Sequence, residues 1–212
     1  MSVLAIYDAV MAYDEERVAE LVTAEIGAGT DVNAILNDGM IAALDEVGQK
    51  FSAGILFVPE MLMAAEAVQA GLDIVRPKLV ESGTKPVGTV VLGTVRGDLH
   101  DIGKNLVAMM LEGAGFRLID LGTDVDLEQF ISCAQENEAD IVALSGLLTT
   151  SMPEMEKAVA AVREANQTRN INVKTMVGGP PINREFADRI GADAYGSDAP
   201  GAVEQARNLM KA

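Results

Sequence analysis

Val90-Val-Leu-Gly-Thr-Val-Arg-Gly-Asp-Leu-His-Asp-Ile-Gly103 passes from a short apolar run into a polar loop, and a helical pattern begins at Lys104. A brief apolar stretch bounded by turn-forming residues reads as a buried strand, so the loop lies at a strand's carboxyl end. His100, inside it, is the only histidine of the chain. Side-chain metal sites usually need three or four ligands drawn from His, Cys and carboxylate. One histidine and the single Cys133 cannot make an ordinary zinc site. The loop suits instead a metal that brings its equatorial ligands in a macrocycle and takes one axial nitrogen from the protein. Asp98, two residues earlier, is placed to accept the other ring proton and so fix the tautomer. Gly103 lets the backbone approach a bulky ligand.

Outward from this stretch, apolar runs alternate with helical patterns. Strands are expected near Thr89–Val95, Phe116–Leu121, Asp140–Ser145, Lys174–Val177 and Ala192–Tyr195. Helices are expected over Lys104–Glu112, Leu127–Glu136, Pro153–Asn166, Asn183–Ile190 and Ala202–Met210. That alternation predicts an α/β domain: a doubly wound parallel sheet of flavodoxin-like order 2-1-3-4-5, whose ligands sit beyond the carboxyl ends of the strands. Three unusual stretches fall at that edge, the His100 loop, Ser145-Gly-Leu-Leu-Thr-Thr150 and Gly178-Gly-Pro-Pro181. Each alone is ordinary turn chemistry; together they mark one site.

Residues 1–85 show helical periodicity and no strand. Val3, Ile6 and Val10 mark a first helix. Val18, Leu21, Val22 and Ile26 mark a second, capped by Asp14, and Asp31 opens a third through Leu36, Met40, Leu44, Val47 and Phe51. A fourth follows Pro59 with the stripe Met61, Ala65, Val68, Leu72 and Val75, and Pro77 is expected to break or kink its end. These predict a four-helix bundle. The breaker-rich segment Glu81–Gly88 separates it from a second domain at 86–212.

The chain has 212 residues and a formal charge of −16, with −9 on residues 1–85 and −7 on the rest. A surface this acidic repels phosphate backbones and argues against nucleic-acid binding, while it would steer basic partner surfaces. No apolar run approaches the roughly 20 residues of a membrane span, and no signal-peptide pattern opens the chain, so no membrane partner and a cytoplasmic location are expected. A P-loop reading fails, because five residues separate Gly97 from Gly103 and Asn105 stands where Ser or Thr should hold Mg²⁺. No Gly-x-Gly-x-x-Gly follows the first strand, which removes a nicotinamide domain.

Asp98-Leu-His100-Asp-Ile-Gly103 resembles the Asp-x-His-x-x-Gly motif of cobalamin-binding domains, and Gly97–Asn105 as a whole is similar to their methyl-transferring branch. The resemblance implies that His100 is the lower cobalt ligand, and that Asp98, Asp101, Ile102 and Gly103 line the cofactor around it. It further implies that Asp98, and through it Ser145, relay the proton that accompanies ligation. Ser145-Gly-Leu147 resembles the Ser-x-Leu element lining the pocket for the nucleotide tail, with Thr149 a nearby hydroxyl and Gly178-Gly179 the pair against which the displaced base lies. Tyr195-Gly196 is a further candidate contact to that tail. Phe57-Val-Pro-Glu-Met-Leu-Met-Ala-Ala-Glu66 resembles the helical cap of the same family. That makes Phe57 and Met61 candidates to cover the methyl-bearing face of the corrin, although both positions equally suit ordinary core residues.

The function so implied is a methyl-carrying corrinoid protein, not catalytic alone, that cycles cobalamin between methyl-Co(III) and Co(I). Its expected partners are a substrate-specific methyltransferase, a second methyltransferase passing the methyl group to a thiol or a tetrahydropterin or tetrahydrofolate, and a reductive activase. The alternatives are an adenosylcobalamin mutase subunit, which typically lacks such a cap, and a cobalamin-responsive sensor, for which the chain has no evident effector segment.

Overall fold

The apolar run that opens at Thr89 forms the middle of a parallel sheet in the computed structural model, which describes residues 2–82, 85–169 and 171–211. The chain divides into two compact units, Met1–Pro86 with Glu112–Gly115, and Val87–Leu111 with Phe116–Ala212.

The first unit is helical: α1 (Val3–Met11), α2 (Glu15–Gly27), α3 (Val32–Ala34), a π-helical segment (Ile35–Ile41), α4 (Ala42–Ser52) and α5 (Val58–Ser82). Asp14 caps α2 by accepting the Arg17 N–H at 2.9 Å, and Asp31 caps α3 through the Asn33 N–H at 3.0 Å. The expected apolar stripes are the buried ones: Ile6 and Val10, Val18 and Leu21, Met40 and Leu44, Val68 and Val75. Two details depart from expectation. The third helix contains a π segment, whose Gly39 lies so near α1 that a Cβ there would come within 3.2 Å of Val3 and 3.3 Å of Ile6. Pro77 does not end α5, which runs on to Ser82; a proline removes one backbone hydrogen bond but leaves a long helix able to continue on either side.

The second unit carries β1 (Thr89–Thr94), α6 (Ile102–Gly113), β2 (Arg117–Asp120), α7 (Leu127–Glu136) and β3 (Ile141–Ser145). After these come a 3-10 turn (Thr149–Ser151), α8 (Met152–Thr168), β4 (Lys174–Gly178), α9 (Arg184–Ile190), β5 (Ala194–Gly196) and α10 (Ala199–Leu209). The strands are parallel in the order β2-β1-β3-β4-β5. β1 is buried along its whole length, as a central strand covered on both faces must be. β2, at the edge, is exposed at both ends. A Cβ on Gly93 would stand 2.8 Å from the Phe130 ring, so the glycine lets α7 lie flat on β1. α7 itself starts with a capping box between Asp126 and Gln129. α10 starts at Ala199, earlier than the expected Ala202, because Asp198 accepts the Gly201 N–H at 2.7 Å. α6 likewise starts at Ile102 instead of Lys104. Among the described residues no helix is long and apolar enough to cross a membrane.

Candidate functional site

The reversal of strand order lies between β1 and β3, and the loop leaving β1 carries His100 to that edge. Asp98, in the same loop, has no exposed surface. A buried carboxylate must have its lone pairs filled, and this one is filled from two loops. One oxygen, Oδ1, accepts from the His100 backbone N–H at 3.1 Å and faces His100 Nδ1 at 2.7 Å. The other, Oδ2, accepts the backbone N–H groups of Leu147 at 2.7 Å and Leu148 at 3.1 Å, and lies 3.1 Å from the Ser151 hydroxyl. Burial would raise the Asp98 pKa, but the hydrogen bonds from the His100 ring and from the Leu147, His100 and Leu148 amides outweigh it and hold the carboxyl well below the ordinary range. The carboxylate is therefore ionised and aimed at the imidazole.

His100 keeps about half of its side chain exposed. With Nδ1 facing Asp98, the tautomer that donates there leaves the Nε2 lone pair free for a metal. Around it, Leu99 is 74% and Ile102 82% exposed, unusual for large aliphatic side chains. Ideal Cβ atoms on Gly97 and Gly103 would meet nothing within 4 Å. Asp101 is exposed, and its carbonyl accepts the Asn105 N–H at 2.7 Å inside the first turn of α6.

The other expected residues lie on the neighbouring loops. Ser145 ends β3, in register with Gly178, and its carbonyl accepts the Val95 N–H at 3.0 Å. Leu147 is 39% exposed. Thr149 opens the 3-10 turn, exposed. At Gly179 φ is +127°, and a Cβ would stand 1.9 Å from the Gly146 carbonyl oxygen, so only glycine fits that turn. Tyr195 is held by its hydroxyl bond to the Ile182 carbonyl at 3.1 Å.

One expectation is corrected. Among the described residues the hydroxyl that reaches Asp98 belongs to Ser151, not Ser145, because the 3-10 turn folds Ser151 back beneath the His100 loop until it is 2% exposed. Its Oγ also lies 2.7 Å from the Leu148 carbonyl, so one hydroxyl proton faces two acceptors. The sequence signal that could have found it is the second hydroxyl cluster, Thr149-Thr-Ser151, six residues past the strand end.

In the helical unit, Phe57 precedes α5 and is 65% exposed, whereas Met61 is fully buried. Only Phe57 of the two has surface to offer a ligand. Ile55, Val58, Leu62 and Met63 are exposed beside it in sequence.

Among the described residues no group of three or more His, Cys, Asp or Glu is placed to hold a metal ion. The donor set at the sheet edge is one oriented imidazole, flanked by open glycines and exposed aliphatic side chains. That set fits a metal already held in a flat, largely apolar macrocycle, and on this doubly wound sheet it defines a cobalamin-binding domain.

Comparison with known proteins agrees. Two models described as B12 binding domain match the chain, over residues 88–204 and 4–76. Trimethylamine corrinoid protein 1 of Methanosarcina acetivorans is 42% identical over 205 residues, covering 96% of this chain and 94% of its own. A cobalamin-binding protein from Desulfitobacterium hafniense superposes with a TM-score of 0.81 at 30% identity, covering 99% of this chain and 98% of that one. The methanol:cobalamin methyltransferase complex MtaBC of Methanosarcina barkeri superposes with a TM-score of 0.82 at 28% identity, covering 99% of this chain and 79% of the matched one. The chain belongs to the family of B12-binding corrinoid proteins.

Proposed function

We propose that this chain carries a methyl group on bound cobalamin between two other proteins. A substrate-specific methyltransferase would load it, with a methylamine as donor, and a second methyltransferase would remove it to a thiol or a reduced pterin or folate. A reductive activase would restore the cofactor after accidental oxidation. The observation that carries the reading is the His100 imidazole, half exposed and held through Nδ1 by a buried carboxylate. Methylamine is favoured as donor class by the likeness to a chain named as a trimethylamine corrinoid protein.

Bound cobalamin supplies the cobalt to which the travelling methyl group is attached; the protein supplies position and ligation. His100 would hold the cobalt through Nε2, with the Asp98 carboxylate fixing the tautomer and orientation of the ring through Nδ1. Asp98, with the Ser151 hydroxyl in reach, would stabilise a proton held on the imidazole. Asp101, Ile102 and Gly103 would line the cofactor around the histidine, while Ser145, Leu147, Thr149, Gly178 and Gly179 would form the pocket for the nucleotide tail. Phe57, with its exposed apolar neighbours, is the part of the helical unit that has apolar surface to offer a ligand. The −16 charge favours association with basic faces of partner enzymes.

The test is reconstitution followed by transfer. Purified chain loaded with cobalamin should show a base-off, histidine-on spectrum. After reduction it should take a methyl group from trimethylamine only when a trimethylamine methyltransferase is added. A chain that binds cobalamin but is methylated from no methylamine would remove the donor assignment. One that refuses cobalamin would remove the proposal.

A further inference from the structure

Lys104 is the buried lysine of the second unit, its side chain 1% exposed. Lysine is almost never buried without a partner, because taking an ammonium out of water is costly unless another charge meets it. At the start of a helix beside an open site, an exposed lysine would be the ordinary outcome. Here the side chain turns inward. Nζ meets the Asp120 carboxylate at the end of β2 and the Asn105 Oδ1 at 2.7 Å.

From Asp120 the contacts return to the histidine. Its other oxygen accepts the Gly122 N–H at 2.9 Å, and the Gly122 carbonyl accepts the Thr94 N–H at 2.9 Å. The fully buried Thr94 donates its hydroxyl to the His100 carbonyl at 2.9 Å. Lys104 follows His100 by four residues of the same chain, so the backbone from His100 to Lys104 joins the two ends of the path Lys104, Asp120, Gly122, Thr94, His100. Asp98 orients the imidazole ring; this second circuit holds the backbone that carries the ring, from the β2 side of the loop.

We propose that Lys104, through Asp120, is a positioning residue for the axial ligand: it fixes the first turn of α6, and with it the height and tilt at which His100 is presented to cobalt. The inference rests on the cobalamin reading above. Within that frame it assigns the buried ion pair a part in ligation instead of in general stability.

The clean variant is Lys104→Met. It fills the buried space with an apolar chain of similar length, and the partly exposed Asp120 is left to water. The apo variant should unfold at nearly the wild-type temperature, while amides 100–105 exchange faster with deuterium. Reconstituted with cobalamin and reduced to Co(II), wild type should show axial-nitrogen splitting in its electron paramagnetic resonance spectrum. The variant should show a mixture with a form lacking that splitting, and affinity lowered by about tenfold, the scale of losses when an outer partner of a metal ligand is removed. Asp120→Asn should give the same spectral mixture, and the double variant should be no worse than either single one. If Lys104→Met does not fold, Asp120→Asn carries the test by the same spectrum. Wild-type spectrum and affinity in the folded variants, or additive losses in the double variant, would overturn the assignment. Wild type that binds no cobalamin would instead sink the reading beneath it.

Discussion

Asp98 and His100 stand two residues apart in one loop, the carboxylate without exposed surface and the imidazole half exposed, joined at 2.7 Å through Nδ1. The geometry separates two tasks. The acid is anchored to the loop after β3, and the base is left facing outward with one nitrogen free.

Replacing His100 by Ala should weaken cobalamin binding by at least about tenfold and remove the histidine-on spectrum. The apo chain should lose about 1 kcal/mol, since the half-exposed ring packs little but its Nδ1 is one of the donors to the buried Asp98 carboxylate. Titration of cobalamin against both proteins, with urea unfolding of the apo forms, checks both halves.

Removing the Asp98 carboxylate should cost stability before any cofactor is added. Asp98→Ala leaves the Leu147 and Leu148 amides without their buried acceptor, at a cost of about 3 kcal/mol in urea unfolding. Asp98→Asn keeps one acceptor oxygen and should lose less, while its amide group would face the donors that Oδ1 or Oδ2 now receives.

Ser151 and Ser145 should separate. Ser151→Ala removes a buried hydroxyl that bridges the Leu148 carbonyl and Asp98 and should cost about 1 kcal/mol in the apo protein. Ser145→Ala should leave apo stability within about 0.5 kcal/mol and lower cobalamin affinity through the tail pocket. The reverse pattern would return the proton path to Ser145.

Gly179→Ala should destabilise the fold by more than about 3 kcal/mol, because the new Cβ meets the Gly146 carbonyl oxygen at a backbone angle that side chains avoid. Ala at Gly103, where a Cβ meets nothing, should leave apo stability nearly unchanged and tell in cofactor affinity alone. Thermal unfolding and titration distinguish them.

The free thiol gives a pH prediction. Burial, with Glu136 adding to it, raises the Cys133 pKa, only partly offset by the Asn137 hydrogen bond and by Arg117. The folded chain thus holds its thiol proton above the pH of about 8.5 at which an unfolded cysteine loses it. This contribution to stability is complete below that pH and is lost as pH rises through the folded value. Alkylation of the native protein at pH 8 should be several-fold slower than in urea.

Much of this was legible in the sequence. Strands and helices alternate with clear apolar runs, and a parallel sheet with that alternation has few orders open to it, so the 2-1-3-4-5 order followed. The contact between Asp98 and His100 was legible because two residues of one loop at a strand end readily meet; its assignment to cobalt came from the resemblance of Asp98-Leu-His100-Asp-Ile-Gly103 to a known motif. Ser151 was hidden by a 3-10 turn that periodicity does not signal; Ser145 was drawn from the resemblance of Ser145-Gly-Leu147 to the Ser-x-Leu element. Met61 was drawn both ways, and its place on the stripe with Ala65 and Val68 decided for the core. Lys104 read only as the start of a helix, since nothing local says that Asp120, 16 residues on, will reach back to pair with it.

The central claim is that His100 ligates cobalt, and the presence of a single histidine makes it directly measurable. Untagged protein grown on ¹⁵N-histidine, loaded with cobalamin and reduced to Co(II), should change the axial-nitrogen splitting in its electron paramagnetic resonance spectrum from three lines to two. A three-line pattern that persists after labelling, or no nitrogen splitting in either sample, would contradict the account.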